Sequence, residues 1–186
     1  MVNNYRKEEM MTELTALLQK YKEDYELRKC EVVKEAIACG MTEEDVSPFI
    51  DKQKIKKSTN NIDTMPTLAK GIEKILSPLL VERFQFAGNW MDIGEQFLGI
   101  EELKKLIASK NFQKWLRSMR ENWEGSAPNL YQDDQLSVFS IIDKNNGNYS
   151  LLVWIENETE PEVWRYFGQS EQKFKNLTTY FEWLSK

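Results

Sequence analysis

Carboxylates are the side chains of this sequence whose types and spacing could support catalysis. The chain has 186 residues and no histidine. It therefore lacks the commonest general base near neutral pH and every Ser–His or Cys–His nucleophile pair. Asp92 and Glu95 lie three residues apart, and carboxylates can act as acids and bases or hold a divalent cation. A carboxylate-dependent hydrolase around Asp92, Glu95 and Asp133 is therefore one hypothesis.

Asp133 is followed directly by Asp134, and this pair has two interpretations. In a turn the two carboxylates could converge on a cation. In the simpler interpretation they form a polar turn before a strand.

Motifs for metals and cofactors are missing from the sequence. Cys30 and Cys39 have the spacing C-x8-C, which matches no zinc motif, and no histidine is present to complete a site. Gly88, Gly94 and Gly99 are spaced neither as a P-loop nor as a dinucleotide fingerprint. We therefore expect no metal and no cofactor, and we expect two reduced, partly buried thiols.

The acidic side chains are concentrated in the last third of the chain. The formal net charge is −5, and residues 121–186 hold 5 basic and 11 acidic side chains. A surface of this sign repels nucleic acid and attracts basic proteins. The glutamates that follow the apolar run 149–155 alternate, so they would share one face if their segment were extended. They are Glu156, Glu158, Glu160 and Glu162. This cluster is either a solvated edge that resists aggregation or a negative surface for a basic partner.

The six tryptophans occur in two kinds of context. Trp90 and Trp123 each follow an asparagine in a segment that we predict to be a loop. Each is either a plug at the edge of the core or an anchor for a partner, since tryptophan is frequent at interaction hot spots. The others lie on apolar faces of predicted elements and are expected in the core. They are Trp115, Trp154, Trp164 and Trp183.

Helical periodicity dominates the first two thirds of the chain. Apolar residues recur at helical spacing over residues 5–29, 66–81 and 110–122. Residues 51–65 are polar and predict a loop or linker. Residues 83–86 predict a short strand.

The last third predicts a small antiparallel sheet. Three apolar runs predict strands; they lie near residues 136–142, 149–155 and 162–167. An Asn-Gly pair between the first two runs is a strong hairpin signal, and Ser170 is the predicted N-cap of a final helix. Strands that cluster late predict an α+β fold, in which N-terminal helices precede a small, mostly antiparallel sheet with packed helices and a C-terminal helix. The expected division is a helical segment at 1–60 and an α+β domain at 66–186, which could pack as one unit.

The apolar runs of this sequence are short. None approaches the roughly 20 apolar residues of a membrane span, and the first residues contain no apolar core of a secretory signal. We expect a cytoplasmic protein with no membrane partner.

Two stretches of the sequence carry the pattern of a known family. The stretch VFSIIDKNNGNYSLLVWIENETEPEVWRYFGQSEQKFKNLTTYFEWL contains a strand, a Gly-bearing turn, a strand, a short strand with Val-Trp and a Ser-initiated helix that ends in FEWL. Upstream, FLGIEEL at residues 97–103 precedes a predicted helix. This order resembles the SUKH superfamily over residues 66–186. The Leu-Pro step and Asn-Gly-Gly turn of that family have only loose equivalents here, in Met65-Pro66 and Ala87-Gly88-Asn89.

The resemblance implies a domain that binds proteins. Bacterial members of such families are often immunity proteins that neutralise polymorphic toxins, many of which are nucleases, and the resemblance supplies no catalytic residues. With the charge distribution, it predicts a non-enzymatic module that neutralises a basic toxin domain by stoichiometric binding through an acidic surface. A regulatory or scaffold role of the N-terminal helices is a further hypothesis. The expected partner-binding residues are Trp90, Trp123, Asp133, Asp134, Glu156, Glu158 and Glu160.

Overall fold

The computed structural model of the protein describes residues 11–47, 50, 52–57, 62–143 and 147–186. The helices of this part are α1 (Glu13–Glu23), α2 (Tyr25–Ala38), α3 (Glu43–Val46), α4 (Pro78–Phe86), α5 (Ile100–Ile107), α6 (Lys110–Asn122), α7 (Ala127–Leu130) and α8 (Leu177–Leu184). The strands are β1 (Lys54–Lys56), β2 (Thr64–Pro66), β3 (Glu73–Ile75), β4 (Asn89–Met91), β5 (Gln96–Phe97), β6 (Leu136–Asp143), β7 (Asn148–Val153), β8 (Glu162–Phe167) and β9 (Ser170–Phe174). The fold is α+β, as the late clustering of strands predicts.

Seven of the described strands form one antiparallel sheet in the order β1-β4-β5-β6-β7-β8-β9. β2 and β3 pair separately as a hairpin. The meander of β6, β7 and β8 confirms the three strands predicted near the C-terminus. Gly147, at the end of the predicted hairpin turn, has a φ of 69°, which a glycine adopts at little steric cost. Residues 144–146 of that turn lie outside the described residues.

Helices cover both faces of this sheet. On one face Phe97 of β5 contacts Tyr21 of α1 and Phe181 of α8, with ring centroids 5.9 and 5.1 Å apart. On the other face Tyr149 of β7 contacts Phe112 of α6 at 5.1 Å. Every residue of β7 is buried, because both of its faces lie against helices. This explains why β6 and β7 are apolar on both sides rather than alternating.

The described N-terminal residues share the core with the rest of the chain. Leu14, Leu18 and Tyr21 of α1 are buried, and β1 pairs with β4 of the main sheet. Residues from the described part of 11–57 therefore contribute to the same core and the same sheet as residues 62–186. The polar linker predicted at 51–65 is wrong where the structure describes it, because this stretch contains β1 and the start of β2; residues 51 and 58–61 lie outside the described part.

The single helix predicted over residues 5–29 is wrong where the structure describes it. The helix ends before Asp24, which is the C-cap of α1 and the N-cap of α2; residues 5–10 lie outside the described part. None of the residues of α2 is buried. Cys30 and Cys39, expected to be partly buried, are both exposed free thiols.

The helix predicted over residues 66–81 is also wrong. Here Thr64–Pro66 and Glu73–Ile75 form the β2–β3 hairpin, and Gly71 takes a φ of 78° in the connection. Pro78 then begins α4, which suits its missing N–H. Because α4 continues to Phe86, the strand predicted at 83–86 is wrong as well.

The final helix begins later than the sequence predicts. Ser170 lies in β9, which pairs with β8 through a turn at Gly168 with a φ of 60°. The N-cap of α8 is instead Asn176, whose side chain accepts a hydrogen bond from the Thr179 amide. Leu177, Tyr180 and Phe181 of this helix are buried.

Candidate functional site

The fold gathers most of the predicted acidic residues at one end of the sheet, which we call the acidic end. Asp133 and Asp134 lie in a short 3-10 turn directly before β6. Glu156 and Glu158 follow β7, and β6 and β7 are antiparallel, with Leu136 opposite Val153. The start of one strand and the end of the next therefore place the two acidic segments at the same end of the sheet. The acidic end comprises Asp133, Asp134, Glu156, Glu158 and Glu160.

Not every carboxylate of the acidic end is free to meet a partner. Asp133 forms an ion pair with Arg120 of α6. Glu160 accepts a hydrogen bond from the Leu79 amide at 3.0 Å, so it satisfies an orphan donor in the first turn of α4. Glu156 and Glu158 are exposed and form no ion pair within the described residues.

Residues 156–161 form a turn, as the sequence predicts, so the glutamates do not share one face as they would in an extended segment. The chain turns after β7, and Asn157 has a φ of 67°, a left-handed conformation that asparagine tolerates better than most residues. Glu162 lies in β8 and accepts a hydrogen bond from the Trp164 indole at 2.8 Å. The carboxylates therefore surround a turn. A pocket of about 280 Å³ opens there, lined by Glu158, Glu160 and Glu162 but also by Lys175.

Trp90 is a core residue, which corrects the role of partner anchor that the sequence left open for it. Its side chain is 1% exposed, and its ring lies 5.5 Å from those of Tyr21 and Phe97. The indole N–H donates to Asp92 at 3.2 Å. The asparagine before it marks β4 rather than a loop, and pairing with β5 turns the indole inwards.

Asp92 is a buried latch between the sheet and the N-terminal segments. Its carboxylate accepts hydrogen bonds from Arg28 of α2 at 2.8 Å, from Gln53 at 2.9 Å and from the Ile93 amide at 2.8 Å. The guanidinium of Arg28 also lies 3.8 Å from the centre of the Tyr21 ring. This first turn of α2 is thus held to the body of the protein by one carboxylate.

Glu95 is a second buried carboxyl group, on the sheet face covered by α1 and α8. It accepts hydrogen bonds from Ser140, from Tyr180 at 2.5 Å and from Ser150 at 3.4 Å. Burial raises the pKa of Glu95, against the opposing effect of these hydrogen bonds and of the Arg165 charge. Burial also raises the pKa of Tyr180, and the neighbouring Glu95 adds to this.

The carboxylates of the hydrolase hypothesis do not form one site. Asp92 and Glu95 are 1% and 4% exposed, and both are engaged by hydrogen bonds inside the protein. Asp133 lies at the acidic end, whereas Gln96, beside Glu95, pairs near the far end of β6 with Ile141. In the described part of the chain, no three Asp, Glu or Cys side chains are placed to hold a metal ion together.

A second concave feature, the aromatic groove, lies at the opposite end of β7 and β8. It has a volume of about 590 Å³ and lies between α6 and the turns at Gly147 and Gly168. Trp123 is one wall residue, so this predicted anchor stands apart from the acidic end. The groove is lined by Trp115, Ser118, Met119, Asn122, Trp123, Gly147, Asn148, Tyr166, Gly168 and Gln169.

The sequence analysis missed most of this groove. Trp115 was expected in the core and is half-buried, like Trp154 and Trp183, whereas Trp164 is buried. The available signal was the pair of glycines, Gly147 and Gly168, at successive turns on one end of the meander. Two such turns place small residues at the same edge, which leaves room for aromatic side chains of a covering helix.

Comparisons with protein-family models, with curated proteins and with solved structures find no match to this chain. No helix in the described residues has both the length and the apolar character needed to cross a membrane.

Proposed function

We propose that this protein is a non-enzymatic binding module that docks a basic partner protein on its acidic end. The observation that carries the proposal is the convergence of two separate acidic segments, at Asp133-Asp134 and at Glu156–Glu158, on one end of the sheet. Residues 133–134 and 156–158 are far apart in sequence. They lie at the same end of the sheet only because β6 and β7 pair. A protein that merely needed solubility would have no requirement for this convergence.

The acidic end is suited to guide an encounter. Exposed carboxylates attract a basic surface over roughly 8 Å at physiological ionic strength, and charges at the rim of an interface mainly raise the association rate. Glu156 and Glu158 are available for this role because they are exposed and form no ion pair with any residue that the structure describes. Asp133 is less available, since a partner would have to compete with Arg120.

The proposed partner is a basic toxin domain, such as a nuclease. A nuclease carries positive charge to hold phosphates, so an acidic protein can cover that surface. The resemblance of residues 66–186 to SUKH domains favours an immunity protein, which acts in the cytoplasm by binding its toxin stoichiometrically. No cofactor is needed for such an inhibitor.

Binding and inhibition assays with the basic domain encoded by the neighbouring gene test this proposal. We expect a stoichiometric complex in size-exclusion chromatography at low salt, and loss of the toxic activity when the complex forms. The complex should weaken as salt is raised, because its association is electrostatic. Absence of a complex at low salt would remove the immunity function.

A further inference from the structure

We propose that the aromatic groove binds an extended, proline-rich segment of a partner polypeptide in the polyproline II conformation. The groove lies at the end of the sheet opposite the acidic end, so this binding is a separate activity from docking of a basic partner. Either activity can fail without the other.

Two of the residues that line the groove are tryptophans, whose indole N–H groups can donate hydrogen bonds. Trp115 and Trp123 are half-buried, and neither indole nitrogen has a hydrogen-bond partner among the residues that the structure describes. Three other tryptophans donate to a neighbouring side chain. The exposed carboxamides of Asn122 and Gln169 add further polar groups along the walls.

The walls of the groove are held in place before any ligand arrives. The rings of Trp115 and Trp123 pack edge-on against Tyr166 at 5.9 and 5.6 Å. Tyr166 is 2% exposed, and its hydroxyl accepts a hydrogen bond from the Ala127 amide at 2.8 Å. Its position is therefore fixed by two elements, and the two indoles are positioned by it. A pre-formed, partly aromatic site of this volume is typical of ligand sites.

The chemistry of the lining selects one class of polypeptide. The ten lining residues that the structure describes are uncharged, so no ion pair with them favours a charged ligand. The lining consists of side chains and turns rather than a free strand edge, so it offers no ladder for an added strand. A polyproline II segment has no internal hydrogen bonds. Its carbonyls can accept from the two indoles, while its proline rings pack on the aromatic faces, as in other proline-binding grooves.

A titration with fluorescently labelled decaproline, followed by anisotropy, tests this proposal on the full chain. We expect saturable binding that salt does not weaken, and weaker or no binding of a glycine–serine peptide of equal length. Trp115→Phe and Trp123→Phe each keep an aromatic ring and remove one N–H, so each should weaken binding about fivefold. Trp183→Phe is the matched control, since Trp183 is half-buried on the other face of the sheet, and it should leave the affinity unchanged.

Three results would overturn the proposal. One is an absence of saturable decaproline binding to a folded wild-type protein, as judged by circular dichroism. The second is equal binding of the glycine–serine peptide. The third is an equal loss of affinity in the Trp183→Phe control and in the groove variants. Displacement of decaproline by tetramethylammonium at similar concentration would also contradict it, because this would assign the groove to cations held on aromatic faces.

Discussion

At the scale of single residues, the buried polar groups of this protein explain its architecture better than its chemistry. Asp92 and Glu95 look like a catalytic pair in the sequence, but one anchors the N-terminal segments and the other joins the sheet to α8. Arg83 is equally buried, and it donates to the carbonyls of Ala87 and Gly88 at 2.8 Å, just beyond the end of α4. Hydrogen bonds offset the desolvation of Asp92 and Glu95, whereas Nε and Nη2 of Arg83 are buried with no partner among the described residues.

Glu95 should make the stability of the protein depend on pH. Its folded-state pKa is raised by burial above the ordinary value of 4.5, so the folded state holds a proton that the unfolded state releases. Stability is therefore highest below about pH 4.5 with respect to this group and falls as pH rises through the folded-state pKa.

Replacing Glu95 by glutamine should remove this contribution. The variant should unfold at a higher urea concentration than wild type at neutral pH and at a similar one near pH 4. Glu101→Gln, on an exposed position of α5, is the control and should follow the wild type. If the wild type were instead more stable than the variant, by a margin that grows with pH, burial would not be the dominant effect on the pKa of Glu95.

Asp92 should contribute strongly to stability through the groups that it holds. Asp92→Asn leaves Arg28 and several donors without a carboxylate, and we expect a loss of about 2 kcal/mol in the free energy of unfolding. Glu26→Gln alters an exposed ion pair of α2, the helix that carries Arg28. It should lower the free energy of unfolding by less than about 0.5 kcal/mol. Urea denaturation of the two variants measures the difference, and equal effects would show that the latch is not formed.

At the scale of elements, the sequence predicts the helices and strands whose formation depends on residues close by in the chain. The meander is found because its strands are apolar and an Asn-Gly pair separates them. The helix predicted over 66–81 fails because its apolar residues have a helical spacing, whereas pairing of β2 with β3 around Gly71 decides the structure. β1 could not be predicted from its three residues, because its partner among the described strands is β4, more than thirty positions later.

The sequence pattern and the structure place the start of the last helix at different residues, Ser170 and Asn176. Asn176 caps α8, so Asn176→Ala should cost about 1 kcal/mol. Ser170 lies in the exposed edge strand β9, so Ser170→Ala should cost only a few tenths of a kcal/mol. Thermal unfolding of the two variants checks this ranking, and the reverse order would restore the helix start predicted from sequence.

At the scale of the whole molecule, strand pairing decides which predicted residues act together. The sequence predicted the acidic residues but could not show that Asp133 and Glu156 lie at the same end of the sheet, because this depends on the register of β6 and β7. The sequence also could not show that Trp123 lies apart from the acidic end or that Trp90 is buried in the core. The result is a protein with one charged end and one uncharged aromatic groove on opposite ends of the same strands.

The central claim is that the position of the acidic end, rather than net charge alone, drives partner binding. Its most direct test compares Glu156→Lys/Glu158→Lys with Glu31→Lys/Glu35→Lys on exposed positions of α2. Both pairs change the net charge equally. The association rate constant with the basic domain encoded by the neighbouring gene is measured by stopped flow at several salt concentrations. We expect the first pair to slow association about tenfold or more at low salt and to flatten its salt dependence, while the second changes the rate less than about twofold. Equal slowing by both pairs would show that net charge, and not the position of the acidic end, drives binding.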